Sequence, residues 1–469
     1  MSVGVHLGHI EPRHAPGLEP LPLETSTVSR IRTAVAAPGA VAELGRWLLV
    51  GLPVFFLCAT AAGSLGSALA PAALFTVAWL IALRSAYRGI HYVFGAAIRA
   101  AVGTVVGLVA VSALDLWLGR PVPAQTLIAC TVSIFSLAAV WESACERVLG
   151  GRRRVLIIGT GNSAWEVVDA VRRSEGMRFS VLGAVGESRP DEPFAGAPTL
   201  GTIADLKGIV EIYRPDLVVL ADDEAQEAAL NRLLETRNAS FKVATVASFF
   251  EYAFGRVPLR CLPPSWFLSI LHLRQRPYSR FAKRAFDVVV ASIGLVVTAP
   301  ISAIVAGLVR LSPGPIIYRQ TRVGQGGKPF TMYKFRTMRA DAEAGGALFA
   351  AERDPRTTRV GRFVRMTHLD ELPQLWDVLK GDMSIVGPRP ERPEFVPMLE
   401  GTVPYFTRRL LVKPGITGWA QLRSDYACDC ESAADKLSYD LWYLRNRNLL
   451  VDLAICAKTF TSIVLRPGR

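Results

Sequence analysis

The sequence predicts a membrane protein that joins an all-α part to two α/β parts, and three observations carry that prediction. Four apolar stretches follow one another in the first third of the chain, at about Trp47–Ala70, Ala72–Leu83, Ala96–Leu118 and Val122–Trp141. Strand-like and helix-like stretches then alternate between Val155 and Val246. A further apolar run of 24 residues, Phe286–Val309, carries Asp287 near its start and Pro300 near its middle.

Composition sets the frame. A chain of 469 residues exceeds one ordinary core, so two or three domains are expected. Hydrophobic residues make up 51% and the mean hydropathy is +0.29, high for a chain with 20% charge, so the apolar excess belongs in membrane segments. With 53 Lys and Arg against 40 Asp and Glu, the net charge of +13 points to an anionic partner. Phospholipid, a phosphorylated substrate and nucleic acid all fit that charge. The seven cysteines are scattered and give no disulfide framework. Cys428 and Cys430 flank Asp429, but a single C-x-C pair is a weak metal signal.

The first thirty residues lack a basic-then-apolar leader pattern, and residues 1–40 read as a flexible cytoplasmic tail. Residues 41–145 read as four transmembrane helices, each near the roughly 20 residues that cross hydrocarbon. Buried core helices are the alternative, yet four in succession with almost no internal charge favour spanning. Arg30, Arg32 and Arg46 precede the first helix, Arg84, Arg88 and Arg99 flank the second connection, and Arg147, Arg152, Arg153 and Arg154 follow the fourth. The first connection has no charge and the third only Asp115 and Arg120. Basic residues collect on the inner side, so both ends of the bundle are expected in the cytoplasm.

Residues 150–255 read as a Rossmann-like, doubly wound module. Val155–Ile158 is a short continuous apolar run of the kind buried parallel strands show, and it enters Gly159-Thr160-Gly161-Asn162-Ser163-Ala164. Strand-like runs follow at Ser180–Val185, Leu217–Ala221 and Phe241–Val246, with helical spacing at Ile203–Tyr213 and Glu224–Arg237. A G-x-G-x-x-A turn can cradle a pyrophosphate, but a lone fingerprint is weak and Glu187 lies far downstream for a ribose-binding acid. A structural module is the expectation there.

Residues 278–469 form the last part, a C-terminal α/β domain. Basic residues bound the Phe286–Val309 run on both sides, at Lys283, Arg284 and Arg310, which conflicts with a simple crossing. Pro300 removes one helix hydrogen bond and clashes with the preceding turn. Together they predict a re-entrant helix–break–helix over 284–310. Between Arg319 and Arg365 stand eleven Lys and Arg against four acids, with aromatics interleaved, yet no nucleic-acid fold accompanies them. Asp370 and Glu371 precede Pro373, which suits a first helical position. They complement a helix macrodipole in the ordinary reading. In the functional one, an ionised aspartate attacks phosphorus and splits one transfer into two.

The ordered set KRAFD (283–287), YKFRTM (333–338), LDELPQL (369–375), LKGDMSIVGPRP (379–390) and KPGITGWAQ (413–421) resembles the bacterial sugar transferases, the monotopic phosphoglycosyl transferase superfamily. The preceding helices and module resemble its larger polyprenyl-phosphate hexose-1-phosphate transferase branch. The resemblance implies that Asp370 is the nucleophile and Glu371 its acidic partner, with Mg2+ at that pair. It implies that Lys334, Arg336, Arg365 and Arg389 bind substrate. The implied reaction moves a hexose-1-phosphate from a UDP-sugar to polyprenyl (undecaprenyl) phosphate through a phospho-aspartate, initiating exopolysaccharide, capsule or O-antigen repeat units. Implied partners are the UDP-sugar, the polyprenyl phosphate and membrane lipid, with a homodimer left open; the implied site is the bacterial inner membrane, the catalytic domain facing the cytoplasm. His368 and Leu422–Ser432 depart from the family pattern. A membrane-anchored NAD-dependent nucleotide-sugar dehydratase or epimerase is the chief rival, but no tyrosine has lysine four positions later. A non-catalytic assembly scaffold is a second rival, against which Asp370 and Glu371 stand.

Overall fold

A computed structural model describes residues 38–465 except 63–64, 91, 120–121, 149–150, 175–178, 187–193, 223–225, 237–240, 264, 269–276, 340–341, 343–353 and 425–429. Most of the expected N-terminal tail, Glu187, and Cys428 with Asp429 lie outside the described residues.

Four long helices come first: α1 (Pro38–Ala62), α2 (Leu65–Gly89), α3 (Gly95–Leu118) and α4 (Ala124–Val148). They pack into one bundle, α2 against α1 and α3, and α4 against α1 and α3. Gly103 and Gly107, four apart on one face of α3, let α2 come close: a Cβ at Gly103 would stand 2.8 Å from Leu83, and one at Gly107 2.1 Å from Trp79. One end of the bundle holds the ion pairs Arg46–Glu142 and Arg99–Glu146, with both guanidiniums over the Tyr87 ring at 5.1 and 5.0 Å. Among the described residues three helical stretches are long and apolar enough to cross a membrane: α3, α4 and Phe281–Arg310. The apolar part of α1 is shorter, Gly45–Phe56.

The central part is a five-stranded parallel sheet of β1 (Arg153–Ile158), β2 (Phe179–Val185), β3 (Thr199–Gly201), β4 (Leu217–Leu220) and β5 (Lys242–Thr245), in the order β3-β2-β1-β4-β5. Side chains of β1 alternate between its faces. Val155 and Ile157 join α5 (Asn162–Arg173) and α8 (Val246–Phe254), whereas Leu156 and Ile158 join α6 (Leu206–Tyr213) and α7 (Gln226–Leu234). Burial on both faces explains why these strands read as unbroken apolar runs.

The C-terminal domain opens with α9 (Pro277–Arg310), 34 residues long. The helix is continuous through Pro300, so the expected break is corrected. A single proline removes one bond of the ladder, and the turns on either side keep theirs. Thr298 Oγ1 donates to Gly294 O at 2.7 Å in the turn before it. Both ends of α9 return to the same domain. Phe286, Val290 and Ala291 pack into its main core, while Val305 and Val309 pack on Phe335 and Val364. Val289, Ile293, Val296, Val297, Ile301 and Ile304 remain exposed.

After α9 come an antiparallel hairpin, β6 (Ile317–Val323) and β7 (Pro329–Phe335), then α10 (Arg359–Met366), a 3-10 turn (Leu369–Glu371), α11 (Gln374–Lys380) and β8 (Ser384–Val386). Next are α12 (Val396–Thr402), β9 (Gly415–Thr417), which pairs in parallel with β8, α13 (Trp419–Arg423), α14 (Cys430–Asn446) and α15 (Leu449–Leu465). The core of this domain is continuous with the other two parts, because Ile90, Phe94, Ala247 and Val257 share one cluster with Trp419 and Trp442.

Candidate active site

Lys334 stands near the end of β7, Asp370 and Glu371 on the 3-10 turn before α11, Arg389 on the loop after β8, and Arg365 near the end of α10. The turn follows His368, which has φ of 56° and ψ of 14°. Histidine is among the side chains enriched in that left-handed conformation, and the reversal there turns the chain from α10 into the acidic pair.

The two carboxylates are not equivalent. Lys334 Nζ donates to Glu371 Oε1 at 2.7 Å, and Arg389 Nη2 donates to the same oxygen at 3.1 Å. Asp370 Oδ2 stands 4.0 Å from Lys334 Nζ and accepts no hydrogen bond among the described residues. Burial opposes charge on Glu371, yet Lys334 and Arg389 outweigh it and hold its carboxyl well below the usual range. Burial also dominates at Asp370 and pushes it up, with Lys334 pulling the other way. Lys334 is lowered by burial, which Glu371 opposes. Glu371 therefore anchors the cations by hydrogen bonds, and Asp370 is held only by the 4.0 Å ion pair with Lys334.

Arg365 belongs to the same electrostatic group, because its charge acts on Asp370, while its Nη1 donates to Thr357 Oγ1 at 3.3 Å. Arg336 is placed elsewhere. Its guanidinium is buried and donates to the carbonyls of Pro315 at 2.7 Å, Val309 at 3.2 Å and Ser312 at 2.9 Å, closing the C-terminal end of α9. Those bonds commit its guanidinium to the end of α9. KRAFD has a comparable role at the other end of that helix. Arg284 donates to the carbonyls of Val378 and Leu379 at 2.6 and 2.7 Å, Lys283 to Asp452 at 2.7 Å, and Asp287 accepts from the Ile385 amide at 3.1 Å.

VGPRP and KPG meet backbone to backbone. A Cβ on Gly387 would stand 2.4 Å from Lys413 O, and one on Gly415 2.1 Å from Gly387 N, so both positions require glycine. Among the described residues no three His, Cys, Asp or Glu side chains gather into a metal cluster.

The bacterial sugar transferase family matches residues 278–466. A UDP-N-acetylgalactosamine-undecaprenyl-phosphate N-acetylgalactosaminephosphotransferase of Aeromonas hydrophila is 38% identical over 254 residues, 54% of this chain and 59% of that protein. A UDP-glucose:undecaprenyl-phosphate glucose-1-phosphate transferase of Escherichia coli K12 is 41% identical over 348 residues, 69% of this chain and 72% of that protein. An undecaprenyl-phosphate galactose phosphotransferase of Salmonella typhimurium is 32% identical over 342 residues, 68% of this chain and 69% of that protein. The paired carboxylates and their cations thus lie inside the family match, and the last two relatives extend the likeness over more than two thirds of their own length: the chain belongs to the bacterial sugar transferase family.

Proposed function

We propose that this transferase moves a hexose-1-phosphate, or its N-acetylated counterpart, from a UDP-sugar to undecaprenyl phosphate, so starting a polysaccharide repeat unit. The observation that supports it best is the division of labour in the acidic pair, with Glu371 holding Lys334 and Arg389 by hydrogen bonds and Asp370 4.0 Å from Lys334 with no hydrogen bond of its own among the described residues. A carboxylate without a hydrogen bond keeps its lone pairs for attack. In the first half-reaction an Asp370 oxygen bonds to the sugar-bearing phosphorus, the bond from that phosphorus to the bridging oxygen breaks, and UMP leaves. In the second, an oxygen of the lipid phosphate attacks the same phosphorus and Asp370 is released as carboxylate. Lys334, Arg389 and Arg365 line the path of the phosphoryl oxygens, where positioning and charge carry phosphoryl transfer.

Mg2+ suits the donor set, since it commonly takes one or two carboxylates and completes its shell with phosphate oxygens and water. Both cation contacts of Glu371 fall on Oε1, so Oε2 and Asp370 would hold the ion. Bound there, it supplies charge neutralisation to the diphosphate. The relatives' names divide among N-acetylgalactosamine, glucose and galactose, so the sugar is set by assay. Purified full-length chain with undecaprenyl phosphate and a panel of labelled UDP-sugars should transfer label to lipid from one or two donors. No transfer from any UDP-sugar would overturn the reading.

The proposed setting is the bacterial inner membrane, with α1–α4 spanning it, the central sheet a Rossmann-like structural module, and α9, bent at Pro300 without leaving the helix, dipping into one leaflet. Attachment of both ends of α9 to one domain supports the last point. Cysteines placed at the exposed positions Phe281 and Leu311 should label from the cytoplasmic side alone. Labelling from opposite sides would make α9 a full span.

A further inference from the structure

Arg389 is the site cation carried by a loop, and its side chain is 43% exposed. Something beneath must fix where its guanidinium lies. Four successive carbonyls of that loop all accept hydrogen bonds. Pro388 O takes the Gly415 amide at 2.9 Å and Glu391 O the Val323 amide at 2.9 Å. The middle two take side chains: Arg409 Nη2 donates to Arg389 O at 3.0 Å, and Arg322 Nη1 to Pro390 O at 3.0 Å.

Burial opposes the charge of both guanidiniums, and at Arg409 the neighbouring carboxylates outweigh it. Arg409 is 5% exposed and is balanced by Glu391 at 3.0 Å and Asp440 at 2.8 Å. Burial, together with the neighbouring charges of Arg389 and Arg392 and against that of Glu391, lowers Arg322 to about 10. Asp440, pushed up to about 6 by burial with Arg409 opposing, is held ionised mainly by that partner. A loop staple alone needs no cation. A rigid fork that serves a carbonyl and two carboxylates at once does need arginine, because an ammonium cannot reproduce its planar donor set.

We propose that Arg409, with Arg322 beside it, is a positioning residue: it fixes the backbone of Arg389 so that the exposed guanidinium meets Glu371 and the donor diphosphate. The site it serves is the one assigned under Proposed function, and the inference rests on that reading. Its test uses binding rather than turnover, so that the two can fail separately. UDP, the part common to all the donors, is titrated into full-length protein by calorimetry in a double-mutant cycle.

Arg409→Lys should weaken UDP about tenfold in the native background and less than about threefold when Arg389→Ala is already present, because neighbours that act through one another are non-additive. Equal losses in both backgrounds, with the variant folded, would show a structural staple and overturn the proposal. Arg322→Gln, which leaves Arg409 and its carboxylates in place, runs the same cycle where Arg409→Lys does not fold. UDP binding that obeys the cycle in a protein without sugar transfer would keep the positioning role and sink the assigned reaction; UDP binding indifferent to Arg389→Ala would sink both.

Discussion

Asp370→Asn abolishes sugar-phosphate transfer, by at least roughly a thousandfold, and leaves the protein as stable as before or more so. The size follows from removing a nucleophile for which neighbours offer no substitute. The stability sign follows from the pKa. A folded pKa raised by burial means that the charged form of Asp370 is disfavoured by the fold, so a neutral amide relieves that penalty at neutral pH. No hydrogen bond among the described residues is lost with it.

Glu371→Gln separates the two carboxylates. It leaves Lys334 and Arg389 facing each other without their anion, so activity and stability fall together, the latter by about 3 kcal/mol for breaking a largely buried pair. The pH profile should follow the same division. Activity falls as pH drops through the raised pKa of Asp370, while Glu371, held low, stays charged across that window. The direct measurement omits the lipid: native protein given UDP-sugar alone should release about one equivalent of UMP and gain a phosphosugar adduct on Asp370. An adduct on another residue, or no UMP until lipid is added, would remove Asp370 from the role.

Local signals were well written in the sequence. The buried strands β1 and β4 show as apolar runs because both faces are covered, and the acidic pair shows through the proline that caps the start of the next helix. Lys334 and Arg336 look alike in sequence, two apart and so on one face of a strand. They part because β7 ends at Phe335: the Arg336 amide still donates to Ile316 O at 2.9 Å, while its guanidinium turns under the end of α9. That outcome depends on where the strand stops, which no periodicity reports. Pro300 is a similar case, since a proline weakens a helix without deciding that it ends. Arg322 and Arg409 are two among many arginines in sequence, and only the fold brings both beneath one loop.

Trp419 is the residue whose role was least legible and whose loss should harm the fold most. It lies in KPGITGWAQ, one of the motifs that carry the family resemblance, yet it joins all three parts of the chain. Its side chain is fully buried, and its Nε1 donates to Gly255 O, at the end of α8, at 2.7 Å. Phe94, from the connection before α3, stacks at 4.5 Å, and Trp442 of α14 at 5.3 Å. Arg423 and Lys458 stand over the ring at 4.7 and 5.1 Å. Trp419→Ala removes an aromatic from a packed junction and should destabilise by about 3–5 kcal/mol. Trp419→Phe keeps most of the apolar mass, loses the bond to Gly255 and should lose about 1–2 kcal/mol. A truncation beginning near Leu273 would remove Gly255 and Phe94 and bare Trp419 and Trp442. It should therefore melt below the full chain by a margin like that of Trp419→Ala. Thermal unfolding in detergent, with limited proteolysis between the central module and α9, reads the effect. A Trp419→Ala protein that melts with the native one, and is cut no faster, would mean that the three parts do not stabilise one another through this ring.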